Sequence, residues 1–243
     1  MRKKMNTYKS SAQLKALARG QLAGKYPTAI GAFVLSSLIA LLLYGVSALF
    51  TDTTTNFGMI LSIPINFIVH LFYGILSAGQ AYIFLNISCG RFCKASDVFY
   101  GFKQHPDKAL LLQLVLTTIS TVSMMPCTIF IYIGNYTMRI GWVFLICLFY
   151  MIGTIINTYF SLVFSQIFYL LLDFPDYSVK QILSLSKTIM KGHKGRLFYI
   201  SISFLPLYLL GILSCGIAFL WIMPYYNATT TNFYLDLMKN RQP

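Results

Sequence analysis

The sequence predicts an all-α, polytopic transmembrane helix bundle of five spans with basic amphipathic cytoplasmic helices, and three observations lead there. Hydrophobic residues make up 57% of the 243 and charged residues 10%, against about 45–50% and about 25% in soluble domains. Five stretches reach the roughly 20 apolar residues that a helix needs to cross a bilayer. The Lys and Arg residues gather beside alternate ends of those stretches.

Residues 1–27 read as a basic amphipathic cytoplasmic helix carrying Arg2, Lys3, Lys4, Lys9, Lys15, Arg19 and Lys25. This basic region and the apolar run after it are both longer than a cleavable signal peptide uses, so the run reads as a retained first span. The transmembrane bundle covers 28–223, with spans at 28–50, 59–88, 109–133, 140–172 and 197–223, followed by a tail at 224–243. The second and fourth spans exceed a hydrocarbon core of about 30 Å and must tilt, kink or protrude. Pro64, Pro126 and Pro206 each remove a backbone donor within a span, so kinks are expected there.

Positive residues near span ends are retained in the cytoplasm. Sixteen Lys and Arg precede the first span or lie in the second-to-third and fourth-to-fifth connections, whereas Arg139, Lys239 and Arg241 fall on the other side. Trp142 and Trp221 sit at the outer span ends, where amphipathic rings favour the interface. The amino terminus is thus expected in the cytoplasm and the tail outside, unless residues 224–243 fold back. The formal charge of +13 implies anionic inner-leaflet headgroups as partners, at about 1 kcal/mol per nearby cation. Nucleic acid is excluded as a partner, since no polar binding domain or motif accompanies the charge.

The three basic segments resemble one another. SAQLKALARGQLAGKY from Ser11, ASDVFYGFKQHPDK from Ala95 and YSVKQILSLSKTIMKGHK from Tyr177 each lead into a span, and their starts are about 84 residues apart. Leu17, Arg19, Leu22 and Gly24 match Leu185, Lys187, Met190 and Gly192 at identical spacing. Two readings stand: an internal repeat of one surface helix plus a hairpin of two spans, whose third unit lacks its second span, or the composition that all membrane-surface helices share. In the third segment Ser178 and Gln181 form a capping pair and Gly192 suits a left-handed stop.

Three polar stripes run at helical spacing through the apolar spans. They comprise Asn66, His70, Tyr73, Ser77 and Gln80 in the second span, Gln113, Thr117, Ser120, Met124 and Cys127 in the third, and Tyr150, Thr154, Asn157 and Ser161 in the fourth. Polar groups in hydrocarbon face one another or a wet cavity. They either form interhelical hydrogen bonds, worth about 0.6 kcal/mol each, or line a polar cavity. No catalytic motif and no cofactor site is present. Cys89 and Cys93 share a face, but no second pair completes a metal site. Asp173, Gly192, His193 and Lys194 are expected to form a cytoplasmic cluster in which a cation pairs with Asp173 at the end of the fourth span.

The stretch DFPDYSVKQILSLSKTIMKGHKGRLFYISISFLPLYLL, with GIAFLWIMPYYNATTTNFYLDL after it and the earlier SAQLKALARGQLAGKY and VFYGFK, resembles a family of uncharacterised integral membrane proteins of Gram-positive bacteria, a domain of unknown function. Asp173, Pro175, Ser186, Met190, Gly192, His193, Lys194, Phe198, Pro224 and Tyr225 are its most specific pieces. The resemblance implies a bacterial plasma-membrane location and brings no activity with it. The polar stripes favour a non-enzymatic component that handles or exports a small molecule, peptide or lipid. The alternative is a structural or regulatory scaffold that binds anionic lipid or a membrane-protein partner. Proton-driven transport is disfavoured, because no carboxylate lies at mid-membrane.

Overall fold

The computed structural model describes residues 8–51, 55–134 and 140–241, and every regular element among them is helical. Arg2, Lys3, Lys4 and Arg139 lie outside the described residues. Helix α1 covers Ser11–Leu22, α2 Tyr26–Phe50 and α3 Asn56–Ser88. A 3-10 turn at Ala95–Phe99 leads into the short α4, Tyr100–Lys103, and then α5, Pro106–Gly134. The fourth span is split into α6, Ile140–Val163, and α7, Ile167–Asp173. Helix α8, Val179–Ile189, precedes a fifth span split into α9, Lys194–Ile202, and α10, Leu205–Leu213; α11 covers Phe219–Arg241.

Five of these segments are long and apolar enough to cross a membrane: Tyr26–Phe50, Ile60–Ser88, Pro106–Ile131, Gly141–Asp173 and Lys194–Leu213. The fifth therefore ends earlier than residue 223. Pro64 and Pro126 lie inside α3 and α5, whereas Pro206 opens α10 after a break at Ser203 and Phe204. Proline suits that place, since the first helical turn has no internal acceptor for the N–H it lacks.

The segment expected as an outer tail does fold back. After the turn at Cys215 and Gly216, α11 returns alongside α10 and packs on α1, α2 and α3. Its Ala228, Phe233, Tyr234 and Leu237 are buried, and so are Thr229, Thr231, Asn232 and Asp236. Helix α11 occupies the place of the second span that the third unit was expected to lack. The amino-terminal segment, the carboxy-terminal helix and the 88–108 and 173–196 connections meet at one end of the bundle, tied by Gln21 to Ser88 O, Asn232 to Gln21 and Lys108 to Pro175 O.

The repeat has a local physical basis. Ser10 with Gln13 and Ser178 with Gln181 form matching capping boxes, and Asp97 accepts from the Lys94 N–H at the corresponding place, so the N-caps recur about every 84 residues. Leu14, Val98 and Ile182 follow each N-cap by one turn, and all are buried. Gly24 and Gly192 end the first and third surface helices at φ +75° and +82°, a region where only glycine is free of Cβ strain.

These helices also complete the spans. The break after α6 frees the Val163 carbonyl, which accepts the Ser186 hydroxyl of α8 at 2.8 Å in a buried setting. The break after α9 frees the Ser203 carbonyl, which accepts Lys15 Nζ of α1 at 3.0 Å. Unsatisfied backbone groups cost several kcal/mol in hydrocarbon, at order-of-magnitude level, so α8 supplies a donor that the fourth span lacks and α1 one that the fifth span lacks. Burial, with Arg19 nearby, lowers the Lys15 pKa below its ordinary 10.5.

A polar seam between the second, third and fourth spans

Helices α3 and α6 both pack on α5 and form two walls of a groove with it. Gly74 brings α3 so close to α5 that an added Cβ would lie 2.3 Å from Gln113 Cβ, and Gly153 does the same for α6 against the Ser123 carbonyl at 2.6 Å. The fourth span meets α3 through α7, which closes the groove toward the basic end. Between the walls lies a cavity of about 580 Å³.

Asn66, His70, Gln113, Thr117, Asn157 and Ser161 line this cavity, with Ser120, Met124, Phe160 and Phe164. Asn157 donates to Ser120 Oγ at 3.3 Å and Gln113 to Thr117 Oγ1 at 3.4 Å, so part of the polar stripe bonds between or along helices while still facing open space. His70 lies at the exposed edge, 3.3 Å from the Tyr44 hydroxyl of α2. Ile63 and Met125, 50% and 55% exposed, also line the cavity, so it opens sideways toward where lipid would lie.

Ser77 and Gln80 are not in this space but in a second cavity of about 270 Å³, nearer the basic end. Ser161, Ser165 and Phe168 line both cavities and join them. Gln80 donates to Ser36 Oγ of α2 at 2.6 Å. The other lining groups include Gln166, Tyr226, Asn227 and Thr230. Four stripe residues point elsewhere: Cys127 is buried against Ile146 O, and Tyr73, Tyr150 and Thr154 are exposed. No Lys, Arg or Asp among the described residues lines either cavity, and none of their His, Cys and Asp side chains group to hold a metal ion.

Sequence reasoning missed Gln166, Tyr226, Asn227 and Thr230. Gln166 follows the polar stripe of the fourth span by five positions, so the break at 164–166 shifts it off the helical period. The other three belong to α11, which the sequence reading placed outside the bundle.

At the basic end, the expected cluster divides. Asp173 accepts the Tyr234 hydroxyl of α11, and among the described residues no cation pairs with it. Arg196 instead pairs with Asp236 of α11 at 2.9 Å, and Asp236 also accepts the Lys9 backbone N–H. His193 lies 4.5 Å from the Tyr8 ring, and Lys194 donates to the Tyr159 hydroxyl at 2.8 Å. The acidic residue that draws the cation is Asp236, because α11 carries it into the end of the bundle with only 3% of its side chain exposed. Burial and the neighbouring Arg196 hold the His193 pKa below its ordinary 6.5.

No match was found among curated proteins or among solved structures. Over residues 1–241, however, the chain belongs to the family described as protein of unknown function (DUF975).

Proposed function

We propose that this protein is a non-enzymatic component of the plasma membrane of a Gram-positive bacterium that takes an amphipathic small molecule or lipid into its polar seam, for handling or export. The observation that carries this reading is the sideways-opening cavity of about 580 Å³ between α3, α5 and α6. That volume lies within the range of roughly 300–1,000 Å³ typical of small-molecule sites. Its mixed lining suits a ligand with both polar and apolar parts. No carboxylate among the described residues lines it, which argues against proton coupling.

The amino terminus and α11's end face the cytoplasm in this reading. The exposed Arg91, Lys94, Lys103, Lys180, Lys187 and Lys191 then meet anionic headgroups. The same basic face supports a second reading, a scaffold that holds anionic lipid or a membrane-protein partner. Native mass spectrometry of the protein released from membranes separates the two. Retained amphiphile in the wild type, lost in Ser120→Trp, supports the seam; equal retention in both favours the outer basic face.

A further inference from the structure

We propose that the inner 270 Å³ cavity is the head-group subsite of the seam and that it selects an uncharged, hydroxyl-bearing head group. The inference rests on the seam reading above and names its ligand class. Gln166 is 1% exposed and its Oε1 has no hydrogen-bond partner. Its orientation follows from Ser165, whose single hydroxyl proton goes to the Leu162 carbonyl at 2.9 Å. Ser165 Oγ can therefore only accept, so the Gln166 amide N–H must face it, as it does at 2.8 Å. The carbonyl oxygen is the atom left free, and a buried acceptor without a donor costs about 1–3 kcal/mol.

The neighbouring hydroxyls offer the same chemistry. Ser77 and Thr230 give their protons to the Tyr73 and Asn227 carbonyls. Ser201 gives its proton to Leu197 O, so the Tyr226 hydroxyl must donate to Ser201 at 3.0 Å and keeps an oxygen that can accept. Among the described residues the lining is thus rich in acceptors and free of formal charge. A phosphate or carboxylate would find no cation there, and a ligand with hydroxyl donors would satisfy Gln166. At about 270 Å³ the space holds a head group, not a whole amphiphile, and the adjoining larger cavity receives the chain through Ser161, Ser165 and Phe168.

The test uses the full chain in nanodiscs of zwitterionic lipid with three probes that share one acyl chain: the 1-monoacylglycerol, the lysophosphatidate and the methyl ester. The monoacylglycerol should bind about tenfold more tightly than the other two, the worth of one hydrogen bond to a buried acceptor. Gln166→Leu should bring it down to the level of the methyl ester and leave the methyl ester unchanged. Equal binding of monoacylglycerol and methyl ester to the wild type overturns the head-group assignment while leaving the seam reading intact, and needs no variant. Tighter binding of the lysophosphatidate overturns it too. No saturable binding of any probe, with no effect of Ser120→Trp, overturns the seam reading itself.

Discussion

Arg196 Nη2 and Asp236 Oδ2 lie 2.9 Å apart and join the first turn of α9 to the last turns of α11. The same guanidinium donates to the Lys9 carbonyl and lies 4.7 Å from the Tyr8 ring centroid. One side chain therefore ties the amino-terminal segment, the fifth span and the carboxy-terminal helix. Removing one partner of a buried pair leaves a charge uncompensated and typically costs about 3–5 kcal/mol. Arg196 is 27% exposed, so water screens part of this. Asp236→Ala should lose about 2–3 kcal/mol, seen as a lower unfolding temperature in detergent. Arg196→Met combined with Asp236→Leu should lose less than either single change.

His193 sits beside that pair, facing Tyr8, Arg196 and Asp236. Its folded pKa is lowered from 6.5, by burial first and Arg196 second, with Asp236 opposing. The unfolded chain therefore takes up the proton first as pH falls below 6.5. Stability should be complete above that value and decline as pH drops toward the lowered pKa. Thermal unfolding between pH 7.5 and about 5 should show a shallower decline for His193→Asn than for the wild type.

Gly79 of α3 lies against the 3-10 turn so closely that an added Cβ would sit 1.7 Å from the Val98 carbonyl oxygen. Gly79→Ala must push the turn away, and overpacking of this kind costs about 1–3 kcal/mol or more. The variant should unfold at a lower temperature and expose Cys93, which now lies 3.9 Å from the Ile83 carbonyl, to faster thiol modification. An unchanged rate would show that the turn is not held there.

Much of the seam is legible in the sequence because a polar residue once per turn of an apolar helix is costly unless it faces a partner or a cavity. Asn66, His70, Gln113, Thr117 and Asn157 obey that rule and meet around one space. Helix α11 is not legible in the same way. Its buried Phe233 and Leu237 alternate with Thr229, Thr231, Asn232 and Asp236, so its hydropathy resembles a solvated tail. Those polar groups are tolerated inside because each finds a partner: Thr229 with Tyr225 O, Thr231 with Tyr169, Asn232 with Gln21, Asp236 with Arg196. Such pairings join residues as much as 211 positions apart, and no local pattern announces them.

The fold-back of α11 predicts which residues label together. In a background with the other cysteines replaced, a cysteine at Lys239 should react from the same membrane side as one at Lys187, and the exposed Cys215 from the opposite side. Reaction of position 239 together with Cys215 would return the tail to the outer side and break the hairpin of α10 and α11.

The central claim, that an amphiphile enters the seam from the bilayer, is tested most directly by mapping where a bound chain lies. A monoacylglycerol with a diazirine at its chain end, photolysed in nanodiscs containing the protein, should label Ile63, Phe67, Met124, Met125, Phe160 and Phe164, which line the outer cavity, and lose that labelling in Ser120→Trp. Adducts spread evenly over outward residues such as Leu41, Leu42 and Leu49, with no excess in the seam, would contradict the claim.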